Sequence, residues 1–312
     1  MGSRRLRARI VDSVRLGSVV LDQPVMTASG TAGHGTELSA YMDLAGIGAV
    51  VVKSLYHEPW PGNAAPRVHP VAAGMINAVG LQGPGVDEWI RHDLPALESK
   101  RARVVASIWG RGVDDYRRAA RMLAPVAQRL AALEVNLSCP NLEGRGGIIA
   151  HDVAASAAVI DACREAGLPM WAKLSPNTDR IVEVASAVVE AGAESLTLVN
   201  TLLGMVIDTE TARPVLGNGG GGVSGRAMHA VAVRAVHDVR GALPDVAIIG
   251  VGGIATGLDA IEMMFAGADA VQVGTATFLH PAAPMRVLNE MHRWMARHGE
   301  SRWSDVASRT HR

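Results

Sequence analysis

Eight short apolar runs, separated by helix-patterned or Gly- and Pro-rich sequence, limit what this chain can fold into. They lie at 25–29, 49–54, 104–109, 133–139, 170–175, 195–201, 246–252 and 270–276. Their apolar residues are mostly continuous rather than alternating. Parallel strands buried on both faces read this way, because neither face meets water.

The sequence between the runs predicts helices. The clearest span 114–130, 152–166, 179–191, 224–239 and 258–266. Several open on Asp or Ser and close before a glycine, at Gly167, Gly192, Gly241 and Gly267, as helix starts and stops require. Pro125 should kink or divide the first of them, since proline lacks the N–H a helix interior needs. Eight such units in one chain point to an α/β fold, a (β/α)8 TIM barrel. An open doubly wound sheet is the rival. Even spacing of the helices favours the barrel. Two connections, 56–103 and 202–245, are longer than one helix needs, and insertions after strands belong at the C-terminal face. We expect one domain over 1–312, with residues 1–13 as a basic tail.

Charge and composition narrow the function. Thirty Lys plus Arg balance thirty Asp plus Glu, which argues against a nucleic-acid partner. No run approaches the roughly 20 apolar residues of a membrane helix. Two cysteines, Cys139 and Cys163, cannot frame a disulfide scaffold, so a reducing cytoplasmic setting is expected. There is no CxxC, HExxH or clustered His pair to suggest a metal. The 11 histidines are scattered, and His34, His57 and His69 are expected to be exposed in loops.

Polar residues gather at the C-terminal ends of the predicted strands. Ser29 closes the first, and Lys53 and Ser54 the second. Asn136, Ser138 and Cys139 close the fourth. Lys173 and Ser175 lie in the fifth, and Asn200 and Thr201 close the sixth. Gly252-Gly253 and Gly274-Thr275 end the seventh and eighth. In a barrel they share one mouth. The glycines fit a phosphate site between the last two strands, or simply tight turns. Gly217, Gly219 and Gly222 match GxGxxG, but no strand leads into them, so a glycine loop is the better reading. Lys53 and Lys173 interrupt apolar strands, so each needs an anionic ligand, an ion-pair partner or a Schiff-base role. Cys163 reads as a buried small apolar residue. Cys139 could be structural, or a base tuned from the ordinary thiol range.

With these residues in view, the chain resembles the dihydroorotate dehydrogenases, specifically class 1 and most closely class 1B. The resemblance covers about 14–277. It rests on PVMTASGT (24–31), GNAAPR (62–67), GMINAVGLQGPG (74–85), NLSCPN (136–141), AKLSPN (172–177), LVNTLLGMVID (198–208), GGVSG (221–225), IIGVGGI (248–254) and VQVGTA (271–276). It implies an FMN-dependent barrel that oxidises dihydroorotate to orotate in pyrimidine synthesis. Cys139 would then remove the C5 proton while hydride leaves C6 for flavin N5. Lys53, Asn77, Ala78, Val79, Gly80, Leu81, Asn136, Asn200 and Thr201 match the family's substrate contacts. Ser29, Lys53, Ser54, Ser107, Asn136, Lys173, Val199, Gly225, Gly252, Gly253, Gly274 and Thr275 match its flavin contacts.

Two departures lie near the site. The family usually has asparagine where this chain has Ser107, followed by the bulkier Ile108-Trp109. Its LQNPG is LQGPG here, with Gly83 in place of asparagine. Both leave room for a related dihydropyrimidine as substrate. Class 1B also implies an iron–sulfur flavoprotein partner carrying FAD and passing electrons to NAD. Two cysteines are too few for the usual four-thiolate cluster, so any cluster belongs to that partner. A homodimer core is a further family expectation.

Overall fold

The computed structural model describes residues 10–138 and 149–311. Eight parallel strands form the core: Val25–Thr27, Val50–Val51, Val104–Ile108, Ala132–Asn136, Met170–Lys173, Ser195–Leu198, Ala247–Val251 and Ala270–Val273. Each starts within a residue of its predicted run and ends one to three residues before the run does. Each pairs with its sequence neighbours, and the eighth pairs with the first. A parallel bridge from Met26 to Ala49 joins the first strand to the second, and Gly48 N–H donates to Val25 O at 2.7 Å. The sheet is therefore a (β/α)8 barrel, not an open doubly wound sheet.

Helices cover the outside by burying one stripe each. Val113–Leu123 turns Tyr116, Ala119, Ala120 and Leu123 inward, the i, i+3, i+4, i+7 spacing of one helix face. Pro125 divides that segment as expected, and a 3-10 stretch, Ala124–Arg129, completes it. Asp152 caps Val153–Cys163 by accepting from Ala155 N–H at 2.9 Å. Thr256 and Asp259 form a reciprocal capping box on Gly257–Ala266. Gly167 ends its helical segment in the left-handed conformation, where glycine carries no Cβ penalty.

Two expected boundaries are corrected. Gly241 does not stop its helix, which runs His229–Ala242. Arg240, one residue earlier, anchors that end instead. Ser224 does not start the helix but closes a strand, Gly221–Ser224.

The two long connections come together at the mouth. A four-stranded antiparallel sheet takes Val68–Val71 and Gly74–Asn77 from the first, and Leu202–Gly204 and Gly221–Ser224 from the second. A hairpin of Val14–Leu16 and Val19–Leu21 precedes the barrel. Within the expected tail, Val11 N–H donates to Ser301 O at 2.7 Å, and Asp12 meets His292 at 2.7 Å. No helix among the described residues is long and apolar enough to cross a membrane.

Candidate active site

A continuous hydrogen-bonded chain crosses the C-terminal mouth. Ser29 Oγ lies 3.2 Å from Ser54 Oγ, which lies 2.9 Å from Ser107 Oγ. Asn136 Nδ2 donates to Ser54 Oγ at 3.3 Å. Asn200 Nδ2 donates to Asn136 Oδ1 at 3.2 Å, and Thr201 N–H to Asn200 Oδ1 at 2.8 Å. Strands one, two, three, four and six are thus tied side chain to side chain. Asn136 is also fixed through its backbone, where Tyr116 Oη donates to its carbonyl at 2.7 Å. Such a network preorganises amide donors and acceptors, because each partner fixes the next.

Lys173 sits opposite Asn136 in the register of strands four and five. It is buried, and its Nζ lies 3.6 Å from Glu134 Oε1. An anionic partner is thus present in the protein itself. Glu134 was not anticipated. Its signal was a lone carboxylate in the apolar run of strand four, facing the lysine in strand five. Lys53 lies two residues beyond the second strand, its N–H donating to Gly33 O at 2.9 Å.

The loop Asn77–Leu81 leaves the mouth-sheet strand Gly74–Asn77. Asn77 pairs with Gly222 across the mouth sheet, and its Nδ2 donates to Gly222 O at 3.3 Å. Asn63 and Arg67 of the GNAAPR segment tie the loop down. Asn63 Nδ2 donates to Ala78 O at 3.1 Å, and its N–H to Val79 O at 3.1 Å. Arg67 Nε donates to Asn63 O at 2.6 Å. Trp60 Nε1 donates to Gly80 O at 3.0 Å. Trp109 stacks on Tyr56 at 4.7 Å and meets Trp60 edge-on at 5.5 Å, so the bulky residue after Ser107 buttresses the loop rather than filling the mouth. Asn177 closes the AKLSPN stretch. It binds Thr201 O at 2.9 Å and Leu203 N–H at 2.8 Å, fixing the start of the second insertion.

Other matched residues lie at the ends of strands six to eight and in the second insertion. Val199 N–H donates to Val251 O at 2.9 Å. Gly225 follows the strand Gly221–Ser224, and Thr275 Oγ1 donates to Ser224 Oγ at 2.8 Å, joining that strand to the end of strand eight. Gly252 and Gly253 have φ of 138° and 68°. A Cβ on either would stand 2.6 Å from Ala232 or His229. Only glycine fits there, which leaves bare backbone beside the mouth, as a bound phosphate needs. Cys139 lies outside the described residues, as do Asn141 and the GRGG at 144–147.

The histidine expectation is corrected for His57, which is 8% exposed and lies 3.1 Å from Asp115. Asp115 also accepts from Arg111 N–H at 2.9 Å. Burial, with this carboxylate beside it, pushes the Tyr56 hydroxyl up to about 12. His34 is half-buried, and burial with nearby Lys53 pulls its imidazole down to about 4. Cys163 is buried as expected, and burial pushes its thiol well up. No group of three His, Cys, Asp or Glu among the described residues is placed to hold a metal.

A barrel whose polar residues converge on one mouth, with buried lysine and paired amides, defines an enzyme of the TIM-barrel class. The chain belongs to the dihydroorotate dehydrogenase family, whose sequence pattern matches residues 13–295; it is an oxidoreductase of that family. Relatives include the "Dihydroorotate dehydrogenase B (NAD(+)), catalytic subunit" of Trichlorobacter lovleyi, 46% identical over 92% of this chain and 94% of that one. The subunit of the same name from Desulforudis audaxviator is 45% identical over 97% and 99%. That from Geobacter sulfurreducens is 44% identical over 92% and 94%. The class 1B resemblance is thereby upheld.

Proposed function

We propose that this chain binds FMN and oxidises dihydroorotate to orotate in pyrimidine synthesis. The observation that carries the proposal is the chain from Ser29 through Ser54 and Asn136 to Asn200 and Thr201, set beside buried Lys173. Asn136 and Asn200 offer amide donors and acceptors that suit the ring amides of a planar pyrimidine. Lys53 offsets the substrate carboxylate, and Asn77, Ala78, Val79, Gly80 and Leu81 cover it.

The residues present fit FMN. Ser29, Ser54, Ser107, Asn136, Lys173 and Val199, with Lys53, face the ring system, and the glycine cradle at Gly252-Gly253 suits its phosphate, with Gly225, Gly274 and Thr275 alongside. When bound, FMN would supply the hydride acceptor for C6. Lys173 supplies the positive charge that makes this acceptance favourable. Cys139 takes the C5 proton. A partner bearing FAD and an iron–sulfur cluster would supply the onward electron acceptor, which fits the NAD(+) in the relatives' names. A homodimer in the cytoplasm completes the reading.

The visible spectrum of the purified protein, before and after anaerobic dihydroorotate, tests it. Flavin bands that bleach support cofactor and substrate together. Absence of flavin binding overturns the proposal. Cys139→Ala should keep FMN and slow bleaching by roughly 10²–10⁴-fold, the usual worth of a general base; unchanged bleaching removes Cys139 from the chemistry. Gly83 and Ser107, where the family has asparagine, favour a second reading: another dihydropyrimidine as substrate. Flavin bands that persist with dihydroorotate but bleach with such an analogue would select it.

A further inference from the structure

We propose that Glu134 is a positioning residue for the reaction, acting through Lys173 to set how readily bound FMN is reduced. The inference rests on the FMN reading above and extends it below the flavin site.

Glu134 is 0% exposed, inside the barrel on strand four. A carboxylate there costs free energy unless it is paired and hydrogen-bonded. Its Oε2 meets the second demand from other strands. Gln272 Nε2 on strand eight donates at 2.7 Å, and Thr197 Oγ1 on strand six at 3.2 Å. These donors come from alternate strands, as one layer of a barrel interior does. They fix the carboxylate's rotation and leave Oε1 toward Lys173.

Oε1 has no hydrogen-bond partner among the described residues, yet it stands 3.6 Å from Lys173 Nζ. That distance suits an ion pair and is too long for a hydrogen bond. The carboxylate therefore steadies the ammonium's charge without taking up one of its protons. Buried pairs of this kind add little to stability compared with an apolar filling. Their retention at the base of a reactive mouth needs another account.

Electrostatics supplies one. Two electrons placed on a flavin make it more negative, and Lys173 favours that change. Glu134 opposes it from just behind the lysine, and in a low-dielectric interior the opposition is strong. The pair thus holds the lysine in place while moderating its pull. Removing the carboxylate's charge should make FMN easier to reduce.

The test is the reduction potential of FMN in the Glu134→Gln holoenzyme, read by equilibration with a reference dye. The reduced-to-oxidised ratio should rise at least tenfold, about 30 mV upward for a two-electron couple. An unchanged or lowered potential overturns the proposal and leaves Glu134 a structural residue. If that variant does not fold, Gln272→Met removes only the 2.7 Å donor and turns the carboxylate's charge more fully on Lys173. Its potential should fall severalfold in the same ratio, and no change would again overturn the proposal. Failure of the unsubstituted protein to bind FMN removes both readings. FMN bound with an unmoved potential in the variants removes only this one.

Discussion

A Cβ on Gly83 would stand 3.0 Å from Nε2 of His34. That nitrogen is buried and has no hydrogen-bond partner among the described residues. The family's asparagine at this position would therefore meet the imidazole, and glycine with histidine forms a matched pair. Gly83→Asn should overpack the contact and cost about 1–3 kcal/mol. His34→Ala in the same chain should return most of it. A urea-unfolding double-mutant cycle reads the coupling; additive losses would show the two positions to be independent.

His34 also carries a pH signature. Its folded value of about 4 lies below the ordinary 6.5. Between those values the unfolded chain binds the proton more readily. This contribution to stability is therefore present above about 6.5 and lost as pH falls towards 4. Replacing the imidazole removes the proton acceptor. His34→Phe should flatten the stability–pH curve across that window relative to the unsubstituted protein, and identical slopes would contradict the assignment.

Arg240 is buried and satisfies four acceptors near the end of its helix. It donates to Gly267 O at 2.8 and 2.9 Å, Pro244 O at 2.6 Å, Val246 O at 2.8 Å and Asp269 Oδ2 at 2.7 Å. Arg240→Met leaves half-buried Asp269 without its cation, and stranding a polar group in this way costs about 1–3 kcal/mol. Burial already pushes the Asp269 carboxyl up despite Arg240. The loss should therefore be smaller at low pH, where the unpaired carboxyl takes a proton. Denaturant midpoints at two pH values check both statements.

Asn63 touches the mouth loop, not the polar chain. Asn63→Ala removes the bond to Ala78 O at 3.1 Å. If the loop Asn77–Leu81 covers substrate, its loosening should raise KM for dihydroorotate severalfold, with kcat changed much less and the melting temperature nearly kept. Equal falls in kcat and kcat/KM would instead place Asn63's effect in the transition state.

The eight barrel strands were legible because burial on both faces demands unbroken apolar runs, and Val104–Ile108 or Ala247–Val251 can hardly be read otherwise. The mouth sheet was not. Its strands are three- or four-residue stretches such as Gly221–Ser224, half-exposed, and stabilised by a partner far along the chain rather than by their own pattern. The site was read through residues that break a pattern: Lys173 stood out as a charge in an apolar strand. Glu134 breaks the pattern equally, but its meaning depends on the register that sets strand four beside strand five. His57 was misjudged because loop position says little when Asp115 is 58 residues away.

The mouth sheet has a consequence for how the molecule comes into being. Asn77 waits for Gly222, 145 positions later. Until synthesis reaches that point, Gly74–Asn77 has only its hairpin partner, Val68–Val71, and one edge stays open to stray pairing. Most of the barrel wall can already be in the growing chain while its rim is incomplete. A nascent chain released before Gly221–Ser224 would carry Asn136 and Lys173 with the mouth sheet unfinished, so the rim closes only after six of the eight barrel strands have been made.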